Sequence, residues 1–406
     1  MTMKRRSFLK GALAVSAGAV LPLAGRRAYA AGGKDFVLVP TCSLSGAFAE
    51  YGKFDEMGTR LAVAAAGGKV LGREITLFTV DTEGNAGKAV RKVKEVIEQR
   101  GARFFNGGTL SSTGLAIGKE AAKVGGVYFT TVGADEVTGT ECNRSTFRWS
   151  VPTYGAIEQT VRPFVERNPK ARRWYTITPE YVFGEALLRN AKAIFQEKGL
   201  EHVGNSYHSL QEKEFSGHLT TAMAQRPDVL LILNFGEQSS DTLRQAASFG
   251  MKSHAQILLA WSAGLEQFRS LGPDVLEGTW LGAQYWHQVQ TPGNAALVKL
   301  CRERYGINPP YPLAGNYAGA KLILDAVAAA GTDDPAAVIA KLEGRRFEGP
   351  TGPEEVRAFD HQVIKDYYLL RGKAASAMRD RDDFADVVSS GKSFVTRQQS
   401  LCKMTA

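Results

Sequence analysis

The chain has 406 residues, with 50 lysines and arginines against 41 aspartates and glutamates, and a formal net charge of +9 at pH 7. Six of the basic residues lie within the first 30 positions, so the rest of the chain is nearly balanced, and no basic stripe with interleaved aromatics suggests a nucleic-acid partner. This length exceeds what one hydrophobic core usually serves and predicts two domains.

Residues 1–30 have the pattern of an export signal. Arg5 and Arg6 precede an apolar run over residues 11–23, and a small-residue cleavage site ends at Ala30. The apolar run is shorter than the ~20 residues that span a bilayer, so we favour an export signal over a membrane anchor. We predict a twin-arginine-type signal peptide, cleaved near Ala30, and a mature protein in the periplasm.

From residue 35 the chain alternates short apolar runs with segments of helical period. The pattern predicts strands at residues 36–40, 74–81, 104–106 and 127–131, and helices at residues 54–66, 86–100 and 112–123. The alternation restarts after Pro152, with helices at residues 157–166, 183–198 and 239–248 and strands at residues 173–178, 229–233 and 257–260. Helices at residues 294–304, 314–330 and 335–342 follow, and then a β-like segment at residues 363–370. This alternation is typical of parallel sheets covered by helices, and predicts an α/β protein with two doubly wound, Rossmann-like lobes.

The four cysteines are Cys42, Cys142, Cys301 and Cys402. None has the Cys-x-x-Cys spacing of a metal or redox site, so an exported protein would use them in structural disulfides or as buried thiols. Three pairings are open. We favour Cys301 with Cys402, because that bond would tether the C-terminal tail.

Catalytic and cofactor motifs are missing from the sequence. No Gly-x-Gly-x-x-Gly follows the first predicted strand, and no Gly-x-Ser-x-Gly elbow occurs. The six histidines lack the spacing of a zinc site. We therefore predict no cofactor, no metal and no enzymatic activity.

Three loops that follow predicted strands are rich in glycine and hydroxyl side chains. They are residues 41–52, 107–114 and 130–135. In doubly wound sheets, ligands bind outside the carboxyl ends of the strands, where loops lead into helix N-termini. Such loops suit a carboxylate or an amide, although helix caps and tight turns use the same residue types.

The order of several short motifs identifies a family resemblance. They are Leu44-Ser45-Gly46, Tyr51-Gly52, residues 66–73, Gly107 with Ser111-Ser112, Phe147-Arg148-Trp149, residues 181–185 and residues 243–246. Together they resemble the leucine/isoleucine/valine-binding proteins of ABC importers over essentially the whole mature chain. The resemblance implies the type I periplasmic binding protein fold, in which two lobes joined by three hinge crossings close on a small ligand.

The resemblance also implies lobe boundaries. Lobe 1 is expected to comprise residues 35–152 and 286–365, and lobe 2 residues 153–285 and 366–406. The three crossings fall at residues 151–153, 284–286 and 365–367. In this family the closed protein delivers its ligand to the membrane permease subunits of the transporter.

Transferred by position, the resemblance places ligand-binding residues in lobe 1. Ser111 matches the serine that holds the ligand carboxylate, and Ser112 and Thr113 continue the same loop. Gly133 falls where the family offers a backbone carbonyl, and Tyr51 matches the aromatic residue that packs on the ligand side chain. Asp135 stands where the family has a hydroxyl-bearing threonine, and its carboxylate suits an ammonium or an amide nitrogen.

The second lobe departs further from the family. Phe183 and Phe235 fall where tyrosines are frequent, and Tyr154 neighbours the first crossing. The glutamate that binds the ligand amine in the family falls near Trp261 and Ser262, and neither residue is acidic. Aromatic carboxylates and short amides or urea derivatives are therefore alternative ligands.

These observations predict a solute-binding receptor of a branched-chain-amino-acid-type ABC importer. It would capture a small amino-acid-like, carboxylate or amide ligand by closure of the lobes. Two rivals remain. An enzyme would need Asp135, Glu237 and His287 to converge, and a ligand sensor would report to a different membrane partner.

Overall fold

Two sheets organise residues 35–404, which are the residues that the computed structural model of the protein describes. The predicted signal peptide, residues 1–30, lies outside the described residues. The first sheet contains β1 (Phe36–Cys42), β2 (Lys69–Val70), β3 (Arg73–Leu77), β4 (Val80–Asp81), β5 (Phe104–Gly107), β6 (Val127–Thr130) and β7 (Thr146–Arg148). Its order is β2-β3-β1-β5-β6-β7, with β4 also paired to β1. Only the β2-β3 pair of this sheet is antiparallel.

The second sheet begins with β8 (Arg173–Pro179), β9 (Glu201–His208), β10 (Val229–Ile232), β11 (Gln256–Leu259) and β12 (Trp280–Ala283), all parallel. The chain then forms a small antiparallel sheet from β13 (Arg346–Gly349), β14 (Gly352–Val356) and β15 (Val363–Ile364). Strands β16 (Tyr367–Gly372) and β17 (Ala385–Gly391) return to the second sheet and extend it antiparallel beside β12.

Twelve α-helices of the described residues cover these sheets. They are α1 (Ala49–Ala65), α2 (Ala86–Arg100), α3 (Ser111–Lys123), α4 (Thr153–Glu158), α5 (Val161–Arg167), α6 (Val182–Lys198), α7 (Ser216–Ala224), α8 (Glu237–Ser248), α9 (Leu265–Leu276), α10 (Pro292–Tyr305), α11 (Tyr311–Ala330) and α12 (Pro335–Leu342). Because helices cover both faces, the central strands β5, β6, β10 and β12 are buried along their whole length, as in doubly wound folds. The predicted α/β fold with two lobes is confirmed.

Local sequence explains where several helices begin and end. The Asn85 side chain accepts the backbone N–H of Lys88 at the start of α2, and α2 ends where Gly101 adopts a left-handed φ of 63°. Helix α10 begins in the same way, with Thr291 as its N-cap and Pro292 as its first residue. Such caps satisfy backbone groups that a helix leaves unpaired at its ends.

Some predicted boundaries were wrong. The single strand predicted over residues 74–81 divides into β3 and β4, and the helix over residues 157–166 divides into α4 and α5. The β-like segment at residues 363–370 divides into β15 and β16, which belong to different sheets. Apolar periodicity within a short segment does not reveal which sheet each half joins, because that depends on distant strands.

The three predicted hinge crossings lie side by side and are bonded to one another. The Gln284 side chain accepts the N–H of Val151 at 2.9 Å and donates to its carbonyl at 2.8 Å. The Lys365 ammonium donates to the Gln284 carbonyl at 2.6 Å. Lys365 is fully buried, and desolvation holds its pKa below the ordinary value. The lobe boundaries themselves stay predictions.

The favoured disulfide pairing was wrong. Cys402 bonds Cys142, at a sequence separation of 260 residues, and Cys42 and Cys301 are buried free thiols. The C-terminal tail is therefore tethered as expected, but to the loop before β7. The connection is a tertiary one, which sequence spacing does not encode.

Candidate functional site

A cavity lies between the carboxyl ends of the two sheets, and we call it the cleft cavity. It is lined by Thr109, Ser111, Thr131, Val132, Gly133, Tyr181, Phe183, Phe235, Trp261 and Tyr311. The first five belong to the loops after β5 and β6, and Tyr181, Phe183, Phe235 and Trp261 follow β8, β10 and β11. Parallel strands in each sheet thus direct their following loops to one place, as doubly wound folds do.

The start of helix α3 supplies hydrogen-bond donors to the cleft cavity. Ser111 is the first residue of α3, and its N-cap residue, Leu110, offers no side-chain acceptor. The first N–H groups of a helix have no partner within the helix and carry partial positive charge. The Ser111 hydroxyl accepts the N–H of Ala134 at 3.2 Å, which leaves its own hydrogen free to donate. This corner of the cavity suits an anion.

Aromatic side chains form the opposite wall. The ring centroids of Phe183 and Trp261 are 5.1 Å apart in an edge-to-face arrangement, and Trp261 makes a similar contact with Tyr311 at 6.2 Å. The ring of Phe235 lies 6.3 Å from Phe183 and 5.5 Å from Tyr51. These contacts fix the rings and give the cavity a rigid, largely apolar wall.

The two sides of the cavity meet closely at Gly133. A Cβ atom at this position would lie 2.7 Å from atoms of both Phe183 and Trp261. Only glycine permits this approach, since real Cβ atoms do not come so near to another heavy atom. The Gly133 carbonyl accepts the N–H of Thr153 at 2.9 Å and a longer hydrogen bond from the Arg148 guanidinium at 3.4 Å, so it is already engaged within the protein.

No charged side chain of the described residues lines the cleft cavity. Its polar side-chain groups are hydroxyls and one indole N–H. Within residues 35–404, neither the Tyr181 hydroxyl nor the Trp261 indole N–H has a protein hydrogen-bond partner. Burial raises the pKa of Tyr181, so its hydroxyl stays protonated and can donate. The cavity therefore offers several donors and no anionic acceptor.

A buried carboxyl group stands behind this lining. The Thr109 hydroxyl lies 2.7 Å from Oδ2 of Asp55 and accepts the N–H of Ser43 at 3.2 Å. Asn316 donates to Oδ1 of Asp55 at 2.7 Å. Asp55 is 2 % exposed, and desolvation raises its pKa to about 8. Asp55 touches the cleft cavity only through Thr109.

The structure brings together five of the residues that the sequence predicts for the site. Ser111, Gly133, Phe183, Phe235 and Trp261 all line the cleft cavity. Ser112 and Thr113 lie in the first turn of α3, behind Ser111, and Tyr51 packs against Phe235 without lining the cavity. Ser262 is fully buried, and its hydroxyl has no partner among the described residues.

Asp135 and Tyr154 lie elsewhere. Both line a separate cavity of about 270 Å³ under the C-terminal tail, which we call the tail cavity. The Asp135 carboxylate accepts the N–H of Tyr154 at 2.9 Å and the side-chain amide of Asn190 at 2.7 Å. The backbone between Gly133 and Asp135 turns so that the two residues face different cavities. Asp135 is thereby directed away from the cleft cavity.

Five lining residues were not predicted. The glycine-rich and hydroxyl-rich loops after β5 and β6 contain Thr109, Thr131 and Val132, and Tyr181 follows directly after β8. Their position at the ends of predicted strands could therefore have indicated that they line the cavity. Tyr311 comes from the start of α11, far along the chain. Nothing local in the sequence indicates that Tyr311 reaches this cavity.

The residues that an enzyme would need do not converge. Asp135 lines the tail cavity, Glu237 a small pocket at the start of α8, and His287 a third pocket beside α10. No group of three His, Cys, Asp or Glu side chains placed to hold a metal ion occurs among residues 35–404. None of the helices in that range has the length and apolar character of a membrane span.

Comparisons with known proteins agree with this architecture. Residues 41–377 match the family described as periplasmic binding protein, and residues 2–22 match the twin-arginine translocation signal sequence. None of the curated proteins compared with the chain matches it.

Several solved structures share the fold. An amino acid ABC transporter substrate-binding protein from Pseudomonas fluorescens Pf-5 is 61% identical, with a TM-score of 0.88, over 91% of this chain and 99% of that one. A solute-binding protein from R. palustris in complex with benzoate is 22% identical, with a TM-score of 0.81, over 91% and 100% of the two chains. The leucine-binding protein LivK from Thermotoga maritima is 21% identical, with a TM-score of 0.76, over 87% and 98%.

The export signal and the family match locate the protein in the periplasm, as the sequence predicted. The family match covers most of the chain, and the fold aligns with that of the Pseudomonas fluorescens relative over 91% of this chain. The chain therefore belongs to the periplasmic binding protein family, as a solute-binding protein of the ABC-transporter type.

Proposed function

We propose that the cleft cavity binds a small solute of the amino-acid type through its carboxylate. The observation that carries this proposal is the uncapped start of α3 beside the free hydroxyl hydrogen of Ser111. The carboxylate would accept hydrogen bonds from these groups, and the aromatic wall would pack against the rest of the solute. The 61% identical relative, named an amino acid ABC transporter substrate-binding protein, supports this class.

Binding is coupled to closure in this proposal. Ser111 and Gly133 belong to one side of the cavity, and Phe183 and Trp261 belong to the other. A solute that touches both sides binds the closed form more tightly than an open one, so it shifts the population toward closure. The closed protein would then deliver the solute to permease subunits, without any chemical step.

A second candidate ligand is an aromatic carboxylate. Two features favour it: the wall of Phe183, Phe235 and Trp261, and the absence of an acidic side chain in the lining to neutralise an α-ammonium. Asp135 does not supply that charge, because its carboxylate is bonded in the tail cavity. An aromatic acid needs only the anion-binding corner at the start of α3 and the aromatic wall.

Thermal unfolding of the mature protein with matched ligands tests both candidates. L-leucine, L-phenylalanine, benzoate and benzamide differ in the ammonium, the ring and the carboxylate. A ligand at 100 times its Kd stabilises the folded state by about 2.7 kcal/mol. We expect L-leucine or L-phenylalanine to raise the melting temperature and benzamide to leave it unchanged.

The outcomes separate the candidates. A shift with benzoate and none with either amino acid would select the aromatic acid. Equal shifts with benzoate and benzamide would contradict a carboxylate subsite. The Ser111→Ala variant serves as the site control, since it removes one donor and should reduce any genuine shift.

A further inference from the structure

Asp55 is a fully buried acid with no cation beside it. It forms no ion pair within the described residues, and its side chain is bonded to the neutral groups of Thr109 and Asn316. The titratable groups that face it from other elements are the Cys42 thiol on β1, the Tyr128 hydroxyl on β6 and the Tyr311 hydroxyl on α11. None of these groups compensates a buried negative charge.

The hydrogen-bond network fixes which oxygen of Asp55 would carry a proton. The Asn316 amide nitrogen donates both to the Pro312 carbonyl at 2.9 Å and to Oδ1 of Asp55. A carbonyl only accepts, so Asn316 presents its NH₂ group on this side and Oδ1 must accept. A proton on Asp55 therefore resides on Oδ2, which faces Thr109.

The protonation state of Asp55 decides what Thr109 offers to the cavity. The Thr109 oxygen already accepts the N–H of Ser43. If Asp55 is neutral, its O–H donates to Thr109, and the Thr109 hydrogen is free to donate to a ligand. If Asp55 is ionised, Thr109 donates to it instead and presents only a lone pair, with a buried negative charge behind it.

We propose that Asp55 is neutral in the folded protein at neutral pH and turns Thr109 into a hydrogen-bond donor, which makes this part of the cleft cavity selective for a carboxylate. Asp55 is a positioning residue, because it acts on the ligand through Thr109. The inference rests on the proposed function for the ligand class, but the state of Asp55 is measurable without any ligand. The upward shift of its pKa to about 8 has the same cause, burial without a cation.

Asp55→Asn is the matched variant. Its amide oxygen accepts from Asn316 and its NH₂ donates to Thr109, so it reproduces the neutral acid and cannot ionise. In the wild type the unfolded state loses its Asp55 proton near pH 4, and the folded state keeps it until about pH 8. The folding equilibrium constant of the wild type should therefore fall about tenfold per pH unit, relative to Asp55→Asn, across that window.

Urea unfolding of both ligand-free proteins between about pH 4 and about pH 9 measures this difference. Parallel stability profiles for wild type and Asp55→Asn overturn the inference, whatever the ligand is. A divergence that ends near pH 8 supports it.

The binding arm uses L-phenylalanine and benzoate as probes, titrated by calorimetry. Above pH 8 the wild-type affinity should fall by up to about tenfold per pH unit, whereas Asp55→Asn should show no such loss. Thr109→Val, which keeps the shape and removes the hydroxyl, should bind weakly at every pH. A wild-type affinity that is indifferent to pH through this window overturns the inference. If neither probe binds, the carboxylate proposal fails, while the unfolding profiles still decide the state of Asp55.

Discussion

The cleft cavity and the tail cavity are separated by a few residues of backbone and differ completely in charge. Hydroxyl, aromatic and small side chains line the cleft cavity, whereas Asp135, Glu136, Arg148, Arg189 and Arg357 line the tail cavity. The loop after β6 contributes to both. The charged side chains near this loop thus line the tail cavity, and the lining of the cleft cavity is uncharged.

The tail cavity is closed by chain that the Cys142–Cys402 disulfide holds in place. Residues of the tail, including Phe394 and Leu401, form one of its walls. The Arg357 guanidinium donates to the Val395 carbonyl and bonds the buried Asp360 carboxylate. The tail cavity therefore has the features of a stabilising region, whereas the cleft cavity has those of a binding site.

The largest effect should come from Cys402→Ser. A bond between residues 260 positions apart closes a long loop, and we expect its loss to lower the free energy of unfolding by about 4 kcal/mol. Urea unfolding measures the loss, and limited proteolysis should cut the released tail. Cys142→Ser should cost the same, and the double variant no more. Additive losses would contradict a shared cause.

The Arg148→Met variant should cause the second-largest loss of stability. The buried guanidinium donates to Gln362 Oε1 at 2.7 Å and to the Ala134 carbonyl and the Thr138 hydroxyl. Its removal leaves these acceptors unpaired and should cost about 3 kcal/mol. The control is Arg189→Met in the same cavity, whose exposed ion pairs predict a loss below about 0.5 kcal/mol. Equal losses would refute the buried network as the source of stability.

The Gly133→Ala variant tests the cleft cavity. The added methyl group would meet Phe183 and Trp261 at 2.7 Å, so the two sides could not approach as closely. We expect ligand affinity to fall about tenfold to a hundredfold, which is about 1.4 to 2.8 kcal/mol. Calorimetric titration measures it. Gly217→Ala is the control, because no atom lies within 4 Å of its added Cβ, and it should bind normally.

The Asp135→Asn variant should have the smallest effect. Its amide would turn an N–H toward either Asn190 or the Tyr154 N–H, and we expect a stability loss of about 1 kcal/mol. Affinity for L-leucine should change by less than about threefold, since Asp135 lies outside the cleft cavity. A tenfold loss for amino acids alone would restore the sequence-based role of Asp135 as an amine ligand.

Much of the candidate site follows from sequence because strand ends can be located. The loops after β5 and β6 were found from apolar runs, and Ser111 and Gly133 within them line the cleft cavity, whereas Phe183, Phe235 and Trp261 were expected there from the family resemblance. Alternating strands and helices also indicate the parallel sheets, since burial on both faces requires continuous apolar strands. These signals are local, and local periodicity survives in a single sequence.

The export signal, the α/β class and the glycine-rich and hydroxyl-rich loops at the strand ends can all be recognised in the amino-acid sequence. Four features required the three-dimensional structure: Gly133 and Asp135 face different cavities, Tyr311 lines the cleft cavity, Asp55 lies behind Thr109, and Cys402 bonds Cys142. The physical reason is the range of the interactions. Secondary structure depends on neighbours a few residues apart, whereas the direction and partner of a buried side chain depend on elements packed against it from distant parts of the chain.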